Sequence, residues 1–218
     1  MDRAQETRFL FLPGLGARAR AYAAGLGPAW ERLDLPPPAA GGGSFPALRR
    51  WLARELLRPP ARVVVAGHSL GAALAVAVAA HLPDTVQALV LIAPAGLPVT
   101  KPVRHSLADL ALQLRRGDHR PADVALASLE AMRAPRSAVR LVRSVRNLDL
   151  TREMETVRSR GIEVTVVGCP SDTLVPAERC RRMADLLGGT YREVETDAGH
   201  VWPLTRPRLL GSELTWAT

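Results

Sequence analysis

The chain is poor in cysteine, in aromatic residues and in lysine, and it has no long apolar run. Of its 218 residues only Cys169 and Cys180 are cysteines. So sparse a pair cannot form a disulfide framework, and no CxxC or Cys/His cluster points to a structural zinc. Two reduced thiols are expected, in a cytoplasmic protein. The charged, polar start has no apolar stretch behind a basic flank, so no secretory signal is expected. The most apolar run, Leu70 to Leu82, is shorter than the ~18 to 20 residues a membrane span requires, so no membrane partner is expected either. Aromatic residues are 4% of the chain. No zinc finger, RNP-like stripe or basic–aromatic interleaving accompanies the positive charge, which argues against nucleic acid.

Lys101 is the only lysine, yet the formal net charge is +8. The charge is carried by arginines spread along the whole sequence. Solvated surface charge accounts for that distribution, with an anionic substrate as the second reading. Hydrophobic residues are 47% and charged residues 23%, an ordinary globular composition. The length fits one domain with room for an insertion.

Short β-branched or apolar runs alternate with helical patterns. Strands are expected at Arg8 to Leu12, Arg62 to Ala66, Val86 to Ile92, Ile162 to Val167 and Thr190 to Glu195, with a short one at Leu33 to Leu35. Helices are expected at Phe45 to Leu57, from Ser69 onward and at Ala177 to Leu187, with a Gly/Ala loop at Ala39 to Ser44. Such alternation means βαβ units and a mostly parallel, doubly wound α/β sheet of about six strands. The stretch 95–160 breaks the rhythm. It reads as amphipathic helices at Leu107 to Leu114, Ala122 to Met132 and Ser137 to Val145, with Ser106 as an N-cap. The expected organisation is a core of 1–94 and 161–218 with a small helical cap of 95–160. Its apolar positions Leu107, Leu110, Leu114, Leu129 and Met132 are expected to line a pocket, and its arginines to face solvent.

The chemistry centres on Val63 to Gly71, a β-branched strand that runs into Gly67-His68-Ser69-Leu70-Gly71 and then into a helix. G-x-S-x-G in that context is a strand-to-helix turn that projects Ser69 from the sheet edge. Gly67 and Gly71 remove side chains that would collide there. Ser69 is the candidate nucleophile.

The run GHSLGAALAVAVAAHLPDTVQALVLIAPAG resembles the nucleophile elbow, following helix and next strand of the α/β-hydrolase superfamily. The resemblance extends from about Arg8 to Thr218. It implies a triad in the order serine, acid, histidine. IEVTVVGCPSDTLVP then supplies Asp172 just past a strand, and GTYREVETDAGHVWPL supplies His200 past the last one. His200 would be the base, and Asp172 would fix its tautomer. The oxyanion donors implied are the backbone N–H of Leu70, at the start of the helix, and of Leu15, in the loop after the first strand. That loop has Pro13-Gly14 where the family has His-Gly. With no strand expected before Arg8 and a compressed region from Trp30 to Ser44, the resemblance implies a trimmed core of about six strands, compared with eight in the full family fold.

Other candidates are weaker. Asp197 is too close in sequence to His200 to orient its ring. Ala93-Pro94-Ala95 offers no carboxylate at the family's alternative acid position. His68 packs beside the elbow, and His81 is solvated at a helix end. His105 and His119 are possible pocket residues of the cap. Nothing cationic flanks Cys169 to activate it. A serine at the elbow argues against the dehalogenase and epoxide hydrolase relatives, which use aspartate. No dinucleotide or P-loop motif and no metal-ligand set is present, so no cofactor or metal is expected. The reading is a serine hydrolase acting on a small to medium carboxylic ester, with a small-molecule ester as its partner. A thioesterase, a C–C bond hydrolase and a non-catalytic ligand-binding module stay open as alternatives.

Overall fold

A computed structural model of the protein describes residues 7–58, 62–98 and 133–215. Strands β1 (Thr7–Leu12), β2 (Trp30–Arg32), β3 (Arg62–His68), β4 (Val86–Ile92), β5 (Glu163–Gly168) and β6 (Thr190–Glu193) form one sheet. Its order is β2-β1-β3-β4-β5-β6, and every neighbouring pair is parallel. The chain steps from β1 out to the β2 edge, returns to β3 on the other side of β1, and then moves steadily the other way. The reversal puts a topological switch point between the carboxyl ends of β1 and β3, where such sheets bind ligands.

Helices cover both faces, because residues of opposite parity on each strand point to opposite sides. Leu10, Leu12, Val63, Val65, Leu89, Leu91 and Val164 pack under α1 (Phe45–Leu56), α2 (Leu70–Ala79), α4 (Thr151–Ser159) and α5 (Ala177–Leu187). Phe11, Val64, Ala66, Val90, Ile92 and Val167 join Tyr22, Trp30, Trp202, Leu210 and Leu214 on the other side. There the cover comes from the 3₁₀ turn Ala19–Tyr22 and helices α6 (Trp202–Thr205) and α7 (Pro207–Leu214). Every residue of α2 is buried. A helix apolar all round belongs at the centre of a core, and its alanines let it lie close on the sheet.

Helix α1 starts where Ser44 Oγ accepts a hydrogen bond from Ala47 N–H at 3.4 Å, with Pro46 in the first turn. The residue read as the end of a loop is thus the helix cap. The second strand lies at Trp30–Arg32 rather than Leu33 to Leu35. It is an edge strand with only Trp30 buried, and Glu31 is tied to Arg8 of β1 at 2.8 Å. Charge on a short edge strand is ordinary, and it hides the strand from an apolar pattern.

Helix α3 (Pro135–Arg146) falls where the sequence predicts a helix from 137 to 145 and has a proline in its first turn. It rests on the N-terminus of α1: Ser144 Oγ accepts from Phe45 N–H at 3.4 Å and donates to the Leu141 carbonyl at 2.8 Å. The end of the stretch read as a cap behaves differently. Helix α4 buries Met154 and Val157 in the same cluster as α2 and α5, as a crossover helix of the core layer. The helices expected at 107–114 and 122–132, with Ser106, His105, His119 and the proposed apolar lining, lie outside the described residues. Among the described residues no helix is long and apolar enough to cross a membrane.

Candidate active site

Ser69 sits between β3 and α2 with φ 52° and ψ −109°. An L-residue in such a region carries about 1 to 3 kcal/mol of strain and persists only where its surroundings impose it. Here they do. Ser69 N–H donates to the Ile92 carbonyl at 2.9 Å, and its own carbonyl accepts from Ala73 N–H at 3.1 Å and Ala95 N–H at 3.2 Å. A Cβ on Gly67 would lie 2.5 Å from the Gly71 carbonyl carbon, and one on Gly71 would lie 2.4 Å from the Leu12 carbonyl oxygen. Both glycines of the motif are therefore required. Gly71 is required by the end of β1, not by the turn itself. Ser69 is partly exposed, whereas His68 and Leu70 on either side are buried.

Asp172 and His200 are brought together from two loops. The Asp172 Oδ2 to His200 Nδ1 distance is 2.8 Å. The other carboxylate oxygen, Oδ1, accepts from the N–H groups of Leu174 and Val175, each at 2.8 Å. Residue exposures are 2% for Asp172 and 7% for His200, so the carboxylate is enclosed yet fully engaged, as a buried charge must be. Since a carboxylate only accepts, Nδ1 of His200 carries the proton that it shares with Asp172. Nε2 is then the ring nitrogen left for chemistry.

The loops bearing the acid and the histidine are stapled by Ser171. Its hydroxyl donates to the Thr196 carbonyl at 2.6 Å and accepts from Gly199 N–H at 3.1 Å. Sequence reasoning missed this residue, and no local pattern links it to partners 25 and 28 positions away. Asp197, set aside as an acid, points elsewhere and pairs with Arg206 at 3.0 Å with 88% of its side chain exposed. His81 is exposed and donates Nδ1–H to the Ala77 carbonyl at 2.8 Å. Cys169 and Cys180 are free and buried.

His68 joins the elbow to the histidine loop. Its ring packs on that of His200 with centroids 4.8 Å apart. Its Nε2 is 3.0 Å from the His200 carbonyl oxygen, and its Nδ1 is 2.8 Å from the Tyr22 hydroxyl. The residue that precedes Ser69 thus touches His200 directly.

The loop after β1 completes the surround. Gly14 N–H donates to the Tyr22 hydroxyl at 3.2 Å. Leu15 is 44% exposed, and its N–H has no partner among the described residues. Leu70 opens α2, so its N–H is one of the helix's unpaired N-terminal donors. Both leucines line a cavity of about 150 Å³, with Leu35, Leu48, Leu141 and Val142 as its main apolar walls.

The profile of the alpha/beta hydrolase family matches residues 9–211, and the chain belongs to that family. Its fold is similar to solved structures of low sequence identity. One is a membrane phospholipase A described as a bacterial virulence factor, 18% identical, with a TM-score of 0.76 over 99% of this chain and 79% of that one. A serine hydrolase involved in carbazole degradation is 19% identical, with a TM-score of 0.75 over 96% and 90%. A lipase-esterase related protein from Clostridium acetobutylicum is 14% identical, with a TM-score of 0.71 over 97% and 94%. No curated protein matches the sequence significantly.

Proposed function

We propose that the protein is a serine hydrolase that cleaves small to medium carboxylic esters through an acyl-enzyme, with Ser69 as nucleophile, His200 as base and Asp172 as its orienting acid. The observation that carries the reading is the enclosed Asp172–His200 pair, with Asp172 held by backbone on one oxygen and by the ring on the other. A serine hydroxyl is a weak nucleophile without an adjacent base. In this reading its proton passes to Nε2 of His200 as Oγ bonds to the ester carbonyl carbon. Asp172 stabilises the imidazolium that forms. The tetrahedral intermediate collapses, and the departing alcohol takes the proton. Water, deprotonated by the same nitrogen, then releases the acid and restores Ser69.

The oxyanion is assigned to the N–H groups of Leu15 and Leu70. Such donors supply roughly 3 kcal/mol each, because they are oriented before charge develops. An uncharged acyl group suits the cavity beside them, whose lining is apolar apart from Arg18, which faces Asp34 at 3.8 Å. It also suits the arginines of the described stretch 133–160, all of which are exposed except Arg146. Esters fit the names of the phospholipase and the lipase-esterase related protein among the structural relatives.

The test is labelling by a fluorophosphonate together with turnover of p-nitrophenyl esters of graded acyl length. Ser69→Ala should abolish labelling. Ser69→Ala or His200→Ala should each lower kcat by ~10⁴-fold or more, and the double variant little further, because the groups act as a unit. Additive losses, or a panel in which only thioesters turn over, would overturn the assignment.

A further inference from the structure

Tyr22 and His68 are buried polar groups that the proposed chemistry does not use. Tyr22 is 1% exposed and His68 3%. The hydrogen bonds around them have one consistent assignment. The His200 carbonyl can only accept, so His68 Nε2 carries a proton and donates to it across 3.0 Å. Burial, and then the charge of His200, hold His68 well below its ordinary pKa and keep it neutral. Its Nδ1 is therefore a bare acceptor, and the Tyr22 hydroxyl donates to it across 2.8 Å. Burial raises the Tyr22 pKa, so the phenol keeps its proton to donate. The phenol oxygen in turn accepts from Gly14 N–H at 3.2 Å. The result is a one-way chain from Gly14 N–H through Tyr22 and His68 to the His200 carbonyl.

This chain ties together the loop after β1, the nucleophile elbow and the loop that bears His200. The fit is close: a Cβ on Gly14 would stand 2.9 Å from His68 Nδ1 and 3.5 Å from Ser69 Cβ. Gly14 immediately precedes Leu15, whose N–H is the assigned oxyanion donor. The Tyr22 hydroxyl holds the peptide on one side of Gly14, and the peptide on the other side, which carries the Leu15 N–H, is held through its carbonyl, which accepts from Ala17 N–H at 3.1 Å.

We propose that Tyr22 and His68 are positioning residues that set the oxyanion loop and the His200 backbone against Ser69. The proposal rests on the serine hydrolase reading. The hydrogen bonds of the two residues run to each other, to Gly14 N–H and to the His200 carbonyl. Both act through the placement of groups that gain strength as the transition state forms, where a misplacement of about 1 Å can cost about 100-fold.

Tyr22→Phe keeps the ring and removes the hydroxyl. The wild type is first shown to take up fluorophosphonate and to turn over p-nitrophenyl butyrate. In the folded variant kcat is then expected to fall by about 10- to 100-fold with KM changed by no more than about twofold. Affinity for an alkyl boronic acid, which forms a tetrahedral adduct on serine, should fall in step with kcat. His68→Phe, which loses both hydrogen bonds, should lose more kcat than His68→Gln, whose amide can still reach the His200 carbonyl. A lowered melting temperature with unchanged kcat and boronate affinity would show that the pair is packing alone and overturn the proposal. If Tyr22→Phe does not fold, His68→Gln decides: a fall in kcat at constant KM supports the proposal, and a wild-type kcat overturns it. A wild type that neither labels nor turns over ester overturns the serine hydrolase reading instead, and this proposal with it.

Discussion

At Ser69 the backbone is held by hydrogen bonds and also wedged by bulk, whereas at Asp172 and His200 it is tied into place mainly by hydrogen bonds. The elbow leaves no room for a Cβ at Gly67 or Gly71. It is wedged between the end of β1 and a helix buried on every side. Before the acid loop a Cβ on Gly168 would meet a side chain, the Tyr191 hydroxyl at 2.8 Å, where the elbow meets backbone. The geometry of the acid and histidine loops depends on the two N–H groups on Asp172, on the pair itself and on the hydroxyl of Ser171. A sterically held site fails by unfolding, because relieving the clash moves core elements. A site held by hydrogen bonds fails by drifting, with the core intact and the catalytic geometry lost.

The sharpest way to break the comparison is Gly71→Ala. Its Cβ would press on the Leu12 and Pro13 carbonyl oxygens at 2.4 and 2.7 Å. Overpacking against backbone should cost about 3 kcal/mol or more, read by urea denaturation. Gly27→Ala is the control. It meets nothing within 4 Å and should stay within about 0.5 kcal/mol of wild type. Equal losses at the two glycines would refute the steric account of the elbow.

An intermediate effect comes from pH, at the ring where the two regimes meet. His68 is held well below its ordinary value of 6.5, first by burial and then by the charge of His200. Above 6.5 the ring is neutral in both folded and unfolded chains, and the favourable term is fully present. As pH falls below that value, the unfolded chain takes up a proton that the folded one refuses. Stability is then lost at up to about 1.4 kcal/mol per pH unit. Unfolding free energies of wild type and His68→Gln between about pH 7.5 and 5 should differ in slope only below about 6.5. Parallel curves would mean that the ring takes up its proton in the fold as readily as in the unfolded chain.

The smallest effect belongs to Ser171→Ala. Losing the part-buried hydrogen bonds to Thr196 and Gly199, and the weaker one with Cys169 Sγ, should cost about 1 to 2 kcal/mol. kcat should fall about tenfold through looser placement of His200. Stopped-assay kinetics beside a melting curve would check both. A large loss of stability with unaltered kcat would show that the loops are held by packing after all.

What was legible in the sequence divides along the same line. Steric and periodic features show in local composition. The β-branched runs of β3 and β4, the all-apolar α2 and the paired glycines of the elbow identify themselves within a few residues. The strand ends beside Asp172 and His200 do so as well. Hydrogen-bonded features across long separations do not. Tyr22 meets His68 46 positions away, and Ser171 meets Gly199 28 away, with nothing local to announce either. Edge strand β2 was misplaced because its neighbour β1 supplies the ion pair that suits Glu31. The amphipathic pattern of α4 looks the same whether its apolar face meets a pocket or a core, and only the sheet beneath it decides.

The enclosure of both sulfur atoms has a practical consequence. Cys169 and Cys180 have no exposed surface, and burial pushes the Cys180 thiol up to about 12. Thiol reagents attack the thiolate of an accessible cysteine, so the native fold offers them no target. Val139, 49% exposed on α3, is therefore a position where a single added cysteine would take up a fluorophore cleanly. It would put an optical reporter on the helix whose Leu141 walls the cavity, with both native cysteines left in place.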